Sequence, residues 1–191
     1  MVATLLVLAA ILLVIAAAVG YFVFASFVFG AGYQPTPRRA VERMLRLAEV
    51  SERDTLYDLG AGTGAIVFRA ARIYRARVVA VEVEPIRVLI LRVRRALGPF
   101  SDRITIRWGN LFRLDFREAS VVTTFLWPEA MARLRPKFER ELGNGARLVS
   151  HHHEVPGWVP EVYDPETHVY LYRWPSARRA PRSPPTITGG A

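Results

Sequence analysis

The sequence predicts an α/β protein: a mostly parallel sheet with helices on both faces, preceded by one transmembrane helix. Three observations predict it. From residue 36 onward, short apolar runs alternate with helix-like runs, the pattern of a parallel sheet covered on both sides. The stretch "LYDLGAGTGA", Leu56 to Ala65, sets three glycines at alternate positions between an apolar run and a helix-like one. The segment from Val2 to Phe29 contains no charged residue.

The apolar segment comes first. At about 1.5 Å per residue, a helix of this length exceeds the roughly 30 Å hydrocarbon core and can span it with some tilt. Tyr21, Phe22, Phe24, Phe27 and Phe29 cluster at its far end, where an aromatic belt is expected. A cleaved signal peptide would carry a basic leader and a shorter apolar stretch. Residues 1–31 are therefore expected to be a single-pass anchor. Arg38, Arg39, Arg43 and Arg46 follow it. The positive-inside rule then puts the rest of the chain on the cytoplasmic side, or the matrix side in a mitochondrion.

Within residues 32–174, Thr36 is expected as N-cap and Pro37 as first residue of a helix carrying Val41, Met44, Leu45 and Ala48 on one face. "TLYDL" (55–59) is the first strand, Ala65 to Arg75 a helix, and "VVAVEV" (78–83) the second strand. Pro85 opens a helix that runs to Leu97 and stops at Gly98-Pro99. "RITIRW", "SVVTTFLW" and "ARLVSHHH" are the third, fourth and fifth strands, with a helix from Glu129 to Leu142 before the fifth. "THVYLYRW" is a late strand, half of an antiparallel edge. After Trp174, residues 175–191 are rich in proline, serine and arginine and read as a disordered basic tail.

Composition narrows the function. The chain has 191 residues and no cysteine, which excludes disulfides and cysteine zinc sites. Net charge is 26 − 17 = +9, and Lys137 is the only lysine. The arginines are spread among glutamates, which argues against nucleic acid as the partner of the basic surface.

The glycine loop fits two cofactors. Gly60-x-Gly62-x-x-Ala65 matches a dinucleotide fingerprint, and Asp58-x-Gly60-x-Gly62-x-Gly64 matches an S-adenosylmethionine loop. The glycines let the backbone turn sharply and approach a ligand. A pyrophosphate favours the amides of a helix N-terminus. S-adenosylmethionine carries an ammonium and a sulfonium instead, and favours a carboxylate. Asp58, at the end of the first strand, tips the balance to S-adenosylmethionine. Glu82, 18 residues past Gly64, is placed for ribose hydroxyls but does not discriminate. Asn110, after the third strand, could meet the adenine amino group. His151, His152 and His153 invite a metal reading. Two of them share a strand face, because residues two apart point the same way, but a site needs three or four ligands and no cysteine exists, so no metal is expected. One of the three could still accept a proton. Pro156-Gly157-Trp158 reads as a turn whose ring covers the sheet edge, or as a lip for a protein substrate.

Together, "YQPTP", "LYDLGAGTG", "AVEVEP", "GNLFRLD", the segment from Val121 to His151 and "PGWVP" resemble one family. It is the seven-β-strand (class I) S-adenosylmethionine-dependent protein-lysine methyltransferases, the group with small archaeal lysine methyltransferases and the ATP synthase c-subunit lysine methyltransferase. The resemblance covers about Tyr33 to Trp174 and implies a Rossmann-like fold. It implies cofactor binding by Asp58, Gly60, Gly62, Gly64, Glu82 and Asn110. It places Tyr33 and Thr36 on the cofactor and the lysine channel, and Thr124, Phe125 and Leu126 at the acceptor site. Tyr33, Thr36 and Phe125 are the candidate residues of the reacting centre, with Trp127 a further wall of the channel. Thr63 and Gln34 depart from the family pattern, which has an aspartate and a small apolar residue there. The implied chemistry is direct in-line transfer of a methyl group to a lysine ε-amine of a protein substrate, membrane proteins included. The alternatives are a methyltransferase for a lipid, a quinone precursor or RNA, and a cofactor-binding scaffold without turnover.

Overall fold

The computed structural model describes residues 2–28 and 34–178. The chain divides into two units, Met1–Gln34 and Pro35–Ala191. The first contains one helix, α1 (Val2–Val28). Its side chains from Val2 to Ala17 are exposed.

The second unit is built on a seven-stranded sheet in the order β3-β2-β1-β4-β5-β7-β6. The strands are β1 (Thr55–Leu59), β2 (Arg77–Glu82), β3 (Ile104–Trp108), β4 (Val121–Thr124), β5 (Arg147–His151), β6 (Val162–Asp164) and β7 (Val169–Arg173). The first five pair in parallel, β7 pairs antiparallel with β5, and β6 pairs antiparallel with β7. Strand alternation sorts the core into two layers. Leu56, Val78, Ala80, Val121 and Val149 face α2 (Arg38–Leu47) and α3 (Ala65–Ile73). Tyr57, Leu59, Val122 and Leu148 face α5 (Pro128–Glu141), which contributes Met131, Leu134 and Phe138. Helices on both faces explain why β1 and β4 are buried along almost their whole length.

Local chemistry sets the helix starts. Helix α4 (Pro85–Leu97) begins where the Glu84 carboxylate accepts hydrogen bonds from Ile86 N (2.9 Å) and Arg87 N (2.8 Å), with proline in the first turn. Helix α2 departs from expectation: Pro37 occupies the N-cap position and Thr36 makes no cap. Proline's fixed φ suits that position, and its carbonyl accepts the first helical bond, from Val41 N at 3.0 Å.

Three further expectations change. β5 ends at His151, because His152 has φ +70° and turns the chain out of the sheet. His151 and His153 therefore do not share a strand face. β7 is half of an antiparallel edge as expected, but its outer partner, the three-residue β6, was unforeseen. Residues 175–178, assigned by sequence to the tail, belong to the packed body: Ala177 is buried, and its carbonyl accepts a bond from Val159 N at 2.9 Å. Residues 179–191 lie outside the described residues.

Candidate active site

The carboxyl ends of β1, β2 and β4 meet at the glycine loop. Gly60, Gly62 and Gly64 all have positive φ (81°, 56° and 89°), which glycine adopts without strain. Gly60 N and Ala61 N both donate to Val81 O at 2.9 Å, tying the loop to β2. A Cβ at Gly64 would lie 2.5 Å from the Phe68 ring and 2.8 Å from Leu91, so glycine is required for space as well as conformation. A Cβ at Gly60 would lie 3.1 Å from Leu126 Cδ2, which brings the end of β4 against the loop.

Two buried carboxylates flank these glycines. Glu82 accepts hydrogen bonds from Gly62 N (2.7 Å), Val83 N (2.9 Å) and Glu84 N (3.0 Å). Asp58 accepts one from Thr123 Oγ1 at 2.8 Å, across the β1–β4 register that sets the two side by side. Burial pushes the Asp58 carboxyl up to about 7, the Thr123 bond opposes this, and the Glu82 charge adds to it. Among the described residues neither carboxylate pairs with an arginine or lysine. Uncompensated negative charge beside a glycine cradle suits a cationic ligand and repels a pyrophosphate. The residues present therefore fit S-adenosylmethionine, whose ammonium and sulfonium can neutralise them.

Beyond Thr123, β4 leads to an aromatic patch. Phe125 meets the His151 ring edge-on at 4.5 Å between centroids, and Trp127 stacks on His153 at 5.7 Å. The Thr124 hydroxyl and His151 Nδ1 are buried and have no hydrogen-bond partner among the described residues. Burial holds the His151 ring below the usual histidine range, helped by the neighbouring His152 and opposed by the Thr167 and His168 backbone. Among the described residues no group of three or more His, Cys, Asp or Glu side chains could hold a metal ion.

Residues 58–162 match the ANTKMT methyltransferase domain family. A protein-lysine N-methyltransferase of Saccharolobus islandicus is 40% identical over 137 residues, which cover 71% of this chain and 85% of that protein. The chain belongs to the ANTKMT methyltransferase domain family. The ATP synthase c-subunit lysine N-methyltransferase of Mus musculus is 30% identical over 129 residues, 68% of this chain but only 51% of that longer protein. Among solved structures, an RNA methyltransferase from Salinibacter ruber in complex with S-adenosyl-L-homocysteine is 39% identical with a TM-score of 0.72. The match covers 78% of this chain and 98% of that one. The class I methyltransferase fold, dependence on S-adenosylmethionine and membership of the resembled family are thus established for this ANTKMT-family methyltransferase.

Of the residues expected at its site, Asp58, Gly60, Gly62, Gly64 and Glu82 form one cluster. Phe125 lies two residues beyond Thr123, immediately past the end of β4. Asn110 is exposed, with its side-chain oxygen accepting from Phe112 N at 2.9 Å. It lies one residue past Gly109, whose N–H donates to Glu82 O at 2.9 Å. Thr36 is half-buried, and no described hydrogen bond joins it to the loop. Tyr33 lies outside the described residues. Trp158 packs inside the second core layer, stacked on Trp174 at 5.1 Å, which leaves it no part in a substrate lip. Two neighbours of the site were missed. Thr123 was hidden because a hydroxyl in an apolar strand gives no signal until its partner strand is known. Trp108 is exposed, and its indole N–H donates to Val83 O at 3.0 Å.

Proposed function

We propose that this ANTKMT-family methyltransferase is a membrane-anchored protein-lysine N-methyltransferase. The observation that carries the catalytic reading is Asp58: buried, paired with no cation among the described residues, beside the three-glycine loop and bonded to the strand that leads to Phe125. When bound, S-adenosylmethionine supplies a sulfonium methyl open to direct in-line displacement. Asp58 and Glu82 would hold it, Asp58 balancing positive charge and Glu82 accepting from ribose hydroxyls. Catalysis is then mostly positioning.

The acceptor amine must be neutral. A free lysine has a pKa of about 10.4, so deprotonation at pH 7 costs roughly 4–5 kcal/mol. A desolvated channel walled by Phe125 lowers that pKa and meets much of the cost, so no dedicated base is required. The Saccharolobus and Mus musculus relatives, both named for lysine methylation, support lysine as acceptor. The length and uncharged composition of α1 support the anchor, with the catalytic unit on the cytoplasmic or matrix side. The name of the Salinibacter relative favours a second reading, an RNA acceptor.

One assay separates the two. The full-length protein is incubated with radiolabelled S-adenosylmethionine and a lysate of its source, membranes included, and protein, RNA and lipid are then resolved. Label on protein lysines, lost with Asp58→Ala, is expected. Label confined to RNA or lipid overturns the lysine assignment.

A further inference from the structure

Helix α4 has two apolar sides. Val88 and Leu91 fill its inward side and are buried. The outward side carries Ile86, Leu89, Ile90, Val93 and Leu97, spaced i, i+3, i+4, i+7 and i+11. At about 100° per residue these five fall within about 100° of arc, opposite the buried pair. They are exposed: Leu89 by 60%, Val93 by 49% and Leu97 by 83%. Arg92 and Arg94 border the stripe on its two sides, and both are exposed. An apolar stripe of this kind on a solvent-facing helix marks an interaction surface rather than scattered exposure.

We infer that the outward face of α4 is a second membrane contact, an in-plane docking surface for a bilayer carrying anionic headgroups. The arrangement is that of an interfacial helix, with apolar residues directed outward and arginines along the flanks at headgroup level. Charge complementarity selects this occupant: the stripe is bordered by arginines, the chain carries +9 overall, and α1 is uncharged over 27 residues. Anchoring by α1 would raise the local concentration of α4 at the same bilayer. Its consequence for catalysis rests on the anchored-methyltransferase reading. The Glu84 cap of α4 lies two residues past Glu82, so docking would fix the cofactor site close to the lipid surface and favour acceptor lysines near it.

The absence of cysteine makes the test clean. Val93→Cys and Arg140→Cys each give the full-length chain a single thiol for an environment-sensitive fluorophore. Arg140 is exposed on α5, across the sheet. Emission and quenching by doxyl-labelled lipid are read in nanodiscs of phosphatidylcholine with and without phosphatidylglycerol, and again with free vesicles of the same compositions. The expected result is a blue shift and strong quenching at position 93 only, several-fold greater with phosphatidylglycerol. Equal behaviour at 93 and 140 in both lipids overturns the inference. Shielding at 93 that follows protein concentration without lipid quenching overturns it too, and assigns the face to a second copy of the chain. Failure of the anchor reads out separately, as loss of the chain from the nanodisc fraction, while the vesicle arm still reports on α4. The triple variant L89S/V93S/L97S alters only exposed positions. It is expected to keep its melting temperature and lose at least about tenfold in binding to phosphatidylglycerol vesicles.

Discussion

Asp58 carries the most informative titration in the molecule. Its carboxyl is raised to about 7 in the folded protein, chiefly by burial, against 3.8 when unperturbed. A raised acid stabilises the fold while protonated. That contribution is fully present below about pH 4 and is lost as pH rises through 7, a difference on the order of 4 kcal/mol. The wild-type melting temperature is therefore expected to fall between pH 5 and pH 8 more steeply than that of Asp58→Asn, in which every other group titrates as before. Identical slopes would remove the buried-carboxylate argument. Binding reverses the sign: a cationic cofactor favours the ionised form, so its affinity is expected to rise from pH 5.5 to 7.5. In Asp58→Asn calorimetry should find a flat pH profile and at least about tenfold weaker binding. The glycines set the other residue-scale limit. Gly64→Ala combines φ +89° with a Cβ 2.5 Å from Phe68, and should lose about 1–3 kcal/mol of stability in denaturant titration. A neutral effect there would mean that the loop repacks freely.

The helix starts near the site can be tested one cap at a time. Glu84 is 1% exposed and caps α4 through two backbone amides. Glu84→Ala is expected to cost about 1–2 kcal/mol in thermal or urea unfolding, more than an exposed cap would, because the orphaned amides are partly buried. An unchanged midpoint would show that water replaces the carboxylate at no cost. The elements around the site also show what was legible beforehand. β1 was readable to the residue, because a strand buried on both faces is a continuous apolar run ending at Asp58-x-Gly60. Proline at the first position of α4 and glycine after it marked that helix at both ends. β6 has three residues, too few for alternation to emerge, and was unreadable. His151-His152-His153 looked like one strand because a positive φ at His152 leaves no trace in composition. The Asp58–Thr123 bond depends on β4 lying beside β1, and a tertiary register of that kind is absent from either strand taken alone.

At the scale of the whole molecule, the proposed anchor has a consequence for catalysis that truncation tests. The Salinibacter relative matches 78% of this chain with 98% of its own, so a chain of that extent folds as a methyltransferase. The two core layers, the glycine loop and both carboxylates all belong to the unit that begins at Pro35. A protein lacking residues 1–33 is therefore expected to keep its melting temperature and its affinity for S-adenosylmethionine, within about twofold. What it should lose is proximity. The proposed tether would confine the enzyme to a layer near the bilayer and raise the effective concentration of acceptors there, with no new contact to the substrate. Methylation of lysines on a membrane-embedded protein should thus fall by about tenfold or more on truncation, while methylation of a soluble lysine-bearing protein stays as it was. Carbonate extraction of the two forms provides the internal control, with the full-length chain expected in the pellet and the truncated one in the supernatant. An equal loss on both substrates would assign residues 1–33 to the catalytic machinery rather than to placement. That outcome would point to the segment before Gln34, where the sequence puts Tyr33, as the part of the site that the truncation removed.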